Sequence, residues 1–146
     1  MNIKCCTASF IAVSAFSNIN MAQAGPPVQI VFNNKGNMDA VYDVARSSAY
    51  SYSEAKPKPL PKVNAGAFDT YSVAGSLSPD VTTASFQYRM GSKVCKFKTS
   101  YVKLPGRGVP PKWNKSAEAS GGARCDVKVT SANVATHAWA VEFTMR

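Results

Sequence analysis

The sequence predicts an all-β protein, a small antiparallel β-sandwich of about seven short strands held by one disulfide. Three observations carry this. Apolar and polar residues alternate with period two through most of the chain, and no segment of helical length keeps a clean 3.6-residue period. Clusters of Gly, Pro, Asn and Ser punctuate the alternation at short intervals. Cys95 and Cys125 both fall on the inward parity of their runs, so a bond between them links two strands through a core.

The chain start stands apart from this fold. Lys4 gives a thin positive leader, "TASFIAVSAF" is an apolar core of about ten residues, and "MAQA" ends in an A-x-A pattern before Gly25. These features predict a cleaved secretory signal over residues 1–24 and a protein that is periplasmic or secreted. The apolar run is too short to span a bilayer, and Cys5 and Cys6, which precede it, leave with the leader. The mature chain is then residues 25–146, which is 146 less 24, or 122 residues in a single domain. In an exported chain the two remaining cysteines predict a Cys95–Cys125 bond.

The elements follow in order. "VQIVFNN" puts Val28, Ile30 and Phe32 on one face, and "NNKGN" turns the chain. "MDAVYDVA" sets Met38, Ala40, Tyr42 and Val44 against Asp39 and Asp43, and the longer stretch "AVYDVARSSAYSY" also reads as strand. "KPKPLPK" has prolines at alternate positions, which cannot donate to a ladder and so make a connector or a sheet edge. "FDTYSV" reads as a strand whose buried face is undetermined. "CDVKVT" points Cys125, Val127 and Val129 one way; "HAWAVEFTM" points His137, Trp139, Val141, Phe143 and Met145 one way.

Between these lies "SFQYRMGSKVCKFKTSYV". Its Gly-Ser pair suits a type II′ hairpin turn. That turn pairs Met90 with Lys93, Arg89 with Val94, Tyr88 with Cys95, Gln87 with Lys96, Phe86 with Phe97 and Ser85 with Lys98. Phe86, Tyr88, Cys95 and Phe97 then face inward, while Gln87, Arg89, Lys96 and Lys98 face out; a slip of one residue would mix the two sets. The resulting layout resembles immunoglobulin-like domains, with Trp139 expected to pack near the disulfide. Trp139 follows both cysteines instead of standing between them, so the resemblance is one of architecture.

Charge directs the functional reading. Losing Lys4 takes 17 Lys and Arg to 16, against 8 Asp and Glu, a mature net charge of +8. From Arg89 to Lys115 the chain carries Arg89, Lys93, Lys96, Lys98, Lys103, Arg107, Lys112 and Lys115 and no acid. The second half of this run, residues 105–124, reads as a long Gly- and Pro-rich loop, a length that in compact domains goes with function or disorder. Trp113 sits in it beside Lys112 and Lys115 as an apolar anchor. The expectation is an exported, non-enzymatic binding domain. The outward hairpin face and the 105–124 loop would recognise an anionic partner: a lipid headgroup at a membrane surface, a glycan, nucleic acid or an acidic protein.

The chemistry of enzymes is thin by comparison. One histidine and two bonded cysteines cannot supply the donors of a zinc site, no glycine-rich phosphate loop occurs, and no nucleophile-elbow sequence marks a serine. No cofactor is expected. Two alternatives stand beside the anion-binding reading. One is a secreted or envelope protein–protein factor, such as an inhibitor, an immunity partner or a virulence-associated protein. The other is a small basic nuclease using Glu118 as base, His137 as acid and Arg124 on the phosphate.

Overall fold

The two longest strands flank the Gly91–Ser92 turn, β6 (Val81–Met90) and β7 (Lys93–Val102), and they pair in the register the sequence predicts, from Met90–Lys93 to Ser85–Lys98 and on to Val81–Val102. Gly91 has φ +59° and Ser92 stays out of the left-handed region, the combination a type II′ turn requires. In the computed structural model, which describes residues 24–44 and 48–146, this hairpin is the centre of one of two five-stranded sheets. Residues 1–23 of the expected leader lie outside the described residues.

The hairpin sheet, sheet B, adds β2 (Ala40–Tyr42) and then β4 (Lys62–Val63) beside β6, and β8 (Lys112–Ser120) beside β7. Sheet A runs β3 (Ala55–Lys56), β5 (Phe68–Val73), β1 (Val28–Asn34), β10 (Trp139–Met145) and β9 (Cys125–Ala132). All pairs are antiparallel except β1 with β10, which run parallel from Val28–Trp139 to Asn34–Met145. Among the described residues there are ten strands where the sequence suggests about seven. The extra ones are the two-residue β3 and β4, at either end of the proline connector, and β8. Both short strands are sheet edges, as the spacing of the prolines requires.

Two local readings are corrected. The stretch "AVYDVARSSAYSY" is not one strand: β2 covers only Ala40–Tyr42, and Ala49–Glu54 form a six-residue helix, α1. Tertiary contacts select that helix, since the buried Ser51 hydroxyl accepts the Ser85 N–H (2.8 Å) and Tyr52 stacks on Tyr42 (5.4 Å). Met38 and Val44, expected inside, are exposed beyond the ends of so short a strand. The second correction is β8, which replaces the middle of the expected 105–124 loop. Gly and Pro are confined to residues 105–111 and 121–122, and "KWNKSAEAS" between them has neither. Its Trp113 and Ala117 share one parity and pack against the core.

The core is aromatic and stitched across the sheets. Phe32 of sheet A stacks on Tyr88 of sheet B (centroids 3.6 Å), Phe143 on Phe97 (4.7 Å), and Tyr71 leans on Phe86 (4.8 Å). Two buried hydrogen bonds cross the same gap: Tyr71 and Tyr88 join hydroxyls at 2.9 Å, and Trp139 Nε1 donates to Thr99 Oγ1 at 3.0 Å. On β5 the buried parity is Asp69, Tyr71 and Val73, which leaves Phe68 67% exposed. Asp69 tolerates burial because its carboxylate accepts the N–H groups of Leu60 (2.7 Å) and Thr70 (2.8 Å).

Cys95 of β7 and Cys125 of β9 form the disulfide, Cα atoms 5.7 Å apart, and it bonds sheet B to sheet A. Trp139 is not its neighbour. Met145 pairs with Cys125, and Trp139 lies at the far end of the same strand, beside Ala132. At that far end Gly25 closes over Thr82, whose hydroxyl is buried and has no partner among the described residues. A Cβ on Gly25 would overlap Thr82 Oγ1 and sit 2.7 Å from the Ser78 carbonyl, so position 25 has no room for a side chain.

Two outcomes test this packing. Cys95→Ser, read by denaturant unfolding, should lose roughly 2–5 kcal/mol; if the expected leader is cleaved, intact-mass analysis of the purified parent should show 122 residues from Gly25 and one disulfide. Tyr88→Phe strands the Tyr71 hydroxyl and should cost about 1–3 kcal/mol, with the double change to Phe recovering part of it. Burial pushes both phenols up from their ordinary range. Their contribution is thus full below about pH 10 and falls as pH rises above it, so absorbance titration should show them ionising only as the protein unfolds.

Candidate anion-binding face

Alternation along β6, β7 and β8 sets the outward side chains of sheet B in cross-strand rows. From one end to the other they read Val81–Val102–Lys112, Thr83–Ser100–Asn114, Ser85–Lys98–Ser116, Gln87–Lys96–Glu118 and Arg89–Val94–Ser120. The central rows line a shallow depression of about 340 Å³. Lys98 stands between two serines. Lys96 stands between an amide and the carboxylate of Glu118.

The run that is free of acids in sequence acquires acids in space. Asp43, carried in by β2, bonds Arg89 Nη2 (3.0 Å) and Gln87 Nε2 (2.7 Å) through one oxygen. The Arg89 bond first, and the Gln87 amide second, hold the Asp43 carboxyl below its ordinary range. Lys103 pairs with Asp80 at 3.3 Å. Among the described residues Lys93, Lys96, Lys98, Arg107, Lys112 and Lys115 make no salt bridge.

These six do not share one surface. Lys96, Lys98 and Lys112 face outward with Arg89. Arg107 and Lys103 lie in and beside the 103–111 connection at one end of the sheet. Lys93 is half-buried at the hairpin end, on the inward parity of Cys95 and Phe97. Lys115 also has inward parity, opposite Thr99, but it escapes to solvent because β8 is an edge strand of sheet B. Trp113 is folded back onto the sandwich. Its ring leans on Tyr101 (5.9 Å) and its Nε1 donates to the His137 carbonyl (3.3 Å), so the indole is not an outward anchor.

The outer face of sheet A differs in charge. Glu142 faces Lys128 across β10 and β9, and Arg146 bonds Asp126 at 3.1 Å. Beyond these two pairs that face carries Lys56 on its edge strand β3, and the larger excess of positive charge lies on the β7–β8 side of sheet B. The Arg89–Asp43 partnership depends on the β2–β6 pairing and leaves no local mark in the sequence. Glu118 does leave one, since extending the hairpin register to a third strand sets it opposite Lys96.

His137 is not on a strand. It sits in the β9–β10 turn with φ +63°, its ring stacked on Tyr101 (5.0 Å) and its Nδ1 2.8 Å from the Tyr101 hydroxyl. Glu118 points outward from β8, and Arg124 lies at the opposite end of the sandwich, its backbone paired with Arg146. The three residues of the nuclease alternative are therefore not brought together. No group of three or more His, Cys, Asp or Glu among the described residues is arranged to hold a metal ion. No family model matches the chain, and no curated protein matches it in sequence.

A charge on the inward parity of a free edge is a known guard against strand-to-strand association. Lys115→Val should therefore produce concentration-dependent self-association in sedimentation velocity, while Lys112→Val should not. Identical behaviour of the two variants would assign the guard elsewhere.

Proposed function

We propose that the protein is an exported, non-enzymatic binding domain that takes an anionic partner on the outer face of sheet B and the adjoining β7–β8 connection. The observation that carries this reading is the uneven charge of the two outer faces. On sheet A Lys128 and Arg146 are matched by Glu142 and Asp126, leaving Lys56 on the edge strand β3, whereas Lys96, Lys98 and Lys112 share their face with Glu118 once Arg89 is held by Asp43. Lys96 and Lys98, two residues apart on one strand, present ammonium groups on Cα atoms roughly 7 Å apart. Successive phosphates or sulfates along a chain, or neighbouring lipid headgroups, offer charge on that scale. Lysines act here as point charges and not as bidentate forks, so the recognition is electrostatic and screened over about 8 Å at physiological salt. A disulfide between the sheets suits an oxidising compartment, and no helix among the described residues is long and apolar enough to cross a membrane.

The test is retention on immobilised heparin, a sulfated polyanion, at two salt concentrations. Wild-type protein should bind at low salt and elute steeply as salt rises. Lys96→Glu combined with Lys98→Glu should abolish retention with the circular dichroism spectrum unchanged, because both side chains leave the solvent face. Unchanged retention at low salt would make the face a solubilising surface only.

A further inference from the structure

We infer that the end of the sandwich formed by the β5–β6, β7–β8 and β9–β10 connections is a contact surface for an anionic lipid bilayer, with Leu77, Val109 and Val134 as its inserting side chains. The inference rests on the anionic-partner reading and names its source as lipid.

Topology gathers the three connections at one end. The starts of β1, β6, β8 and β10 and the ends of β5, β7 and β9 lie there together. Lys103 N–H donates to the Asp80 carbonyl (2.9 Å), joining the first connection to the second, and Trp113 Nε1, at the start of β8, donates to the His137 carbonyl of the third. A cleft of about 720 Å³ lies between them, lined by Pro79, Asp80, Lys103, Thr136 and His137 among others.

Each connection exposes one aliphatic residue: Leu77 is 83% exposed, Val109 41% and Val134 72%. The loops hold them outward by built contacts. Tyr50 Oη accepts the Ser76 N–H (3.1 Å) just before Leu77, and Ser78 Oγ accepts the Asp80 N–H (3.1 Å) just after it. Asn133 Oδ1 accepts the N–H groups of both Ala135 and Thr136 (2.9 Å each), closing a turn with Val134 at its apex. Val109 is followed by Pro110 and Pro111, which stiffen the chain behind it.

Positive charge stands beside the Val109 tip. Arg107 is two residues from Val109, Lys112 begins β8 beside the same connection, and neither has a salt-bridge partner among the described residues. Cations that reach the headgroup layer while short apolar side chains enter beneath it are the chemistry of peripheral membrane attachment. Nucleic acid fits this end less well, because the rings of its central cluster are turned inward, Tyr101 contacting His137, Trp113 and Trp139, and the exposed Tyr50 is tied by its hydroxyl to Ser76. Of the other exposed apolar residues, Met38, Val41 and Phe68 lie towards the hairpin end, while Val81, which starts β6, lies at this end.

The experiment uses the mature disulfide-bonded protein with vesicles of phosphatidylcholine alone or mixed with phosphatidylglycerol, beside heparin retention as a lipid-free control. Wild-type protein should float with the mixed vesicles and not with phosphatidylcholine. Leu77→Ser, Val109→Ser and Val134→Ser together should cut flotation by roughly tenfold or more, leaving heparin retention and the melting temperature unchanged. Leu77→Trp should show a blue-shifted emission on the mixed vesicles, quenched by brominated lipid. Equal flotation of the triple variant and the wild type would overturn the inference. So would heparin or nucleic-acid binding without flotation, although the anionic-partner reading would then survive. Absence of binding to every probe would remove both.

Discussion

A two-residue turn at Gly91–Ser92 decides which way the side chains of β6 and β7 point, and through them those of β2 and β8. With the turn in type II′ geometry, Tyr88, Phe86, Cys95, Phe97 and Tyr101 all face sheet A, and Gln87, Arg89, Lys96 and Lys98 all face water. The alternative register is closed off from both sides. It would bury three cations without partners, at several kcal/mol each, and would expose the rings that stack on Phe32 and Phe143. The same parity sets the position of Cys95, so the disulfide is a consequence of the turn as well as a support for it.

What the turn orients, the core then locks. Sheet-to-sheet contact is made by rings, and rings with hydroxyls need partners. The Tyr71–Tyr88 and Trp139–Thr99 bonds supply them in pairs that span the gap. Buried polar pairs of this kind add specificity to stability, since a shifted sheet would leave donors unsatisfied on both sides. The disulfide holds the hairpin end, and the Tyr101, Trp113, His137 and Trp139 cluster fills the other. Each end of the sandwich thus has its own fastening, and the loops beyond the aromatic cluster are mounted on a rigid base.

The architecture was legible where periodicity and turn chemistry agree. The hairpin register, the inward faces of β1 and β10 and the pairing of Cys95 with Cys125 all follow from parity and one Gly-Ser pair. Legibility ended where a tertiary contact outweighs local pattern. The helix α1 exists because Ser51 bonds the backbone of β6, and nothing in "AYSYSE" announces that. Strand β8 was hidden by the glycines and prolines on either side of it, though its own nine residues contain none. At the candidate face the cations were readable and their acids were not. Asp43 reaches Arg89 from 46 positions away, a distance over which a single sequence carries no signal.

The parallel pairing of β1 with β10 has a bearing on when the molecule can exist at all. Val28 lies beside Trp139, so the third and fourth strands of sheet A come from opposite ends of the domain. Until β10 is delivered, one side of Ile30 and Phe32 has no neighbour and Phe97 has no Phe143 to stack on. A high share of the contacts thus joins residues distant in sequence, the class of topology that folds slowly. If the chain is exported as proposed, the sandwich can close only once β10 has followed β1 to the same side of the membrane.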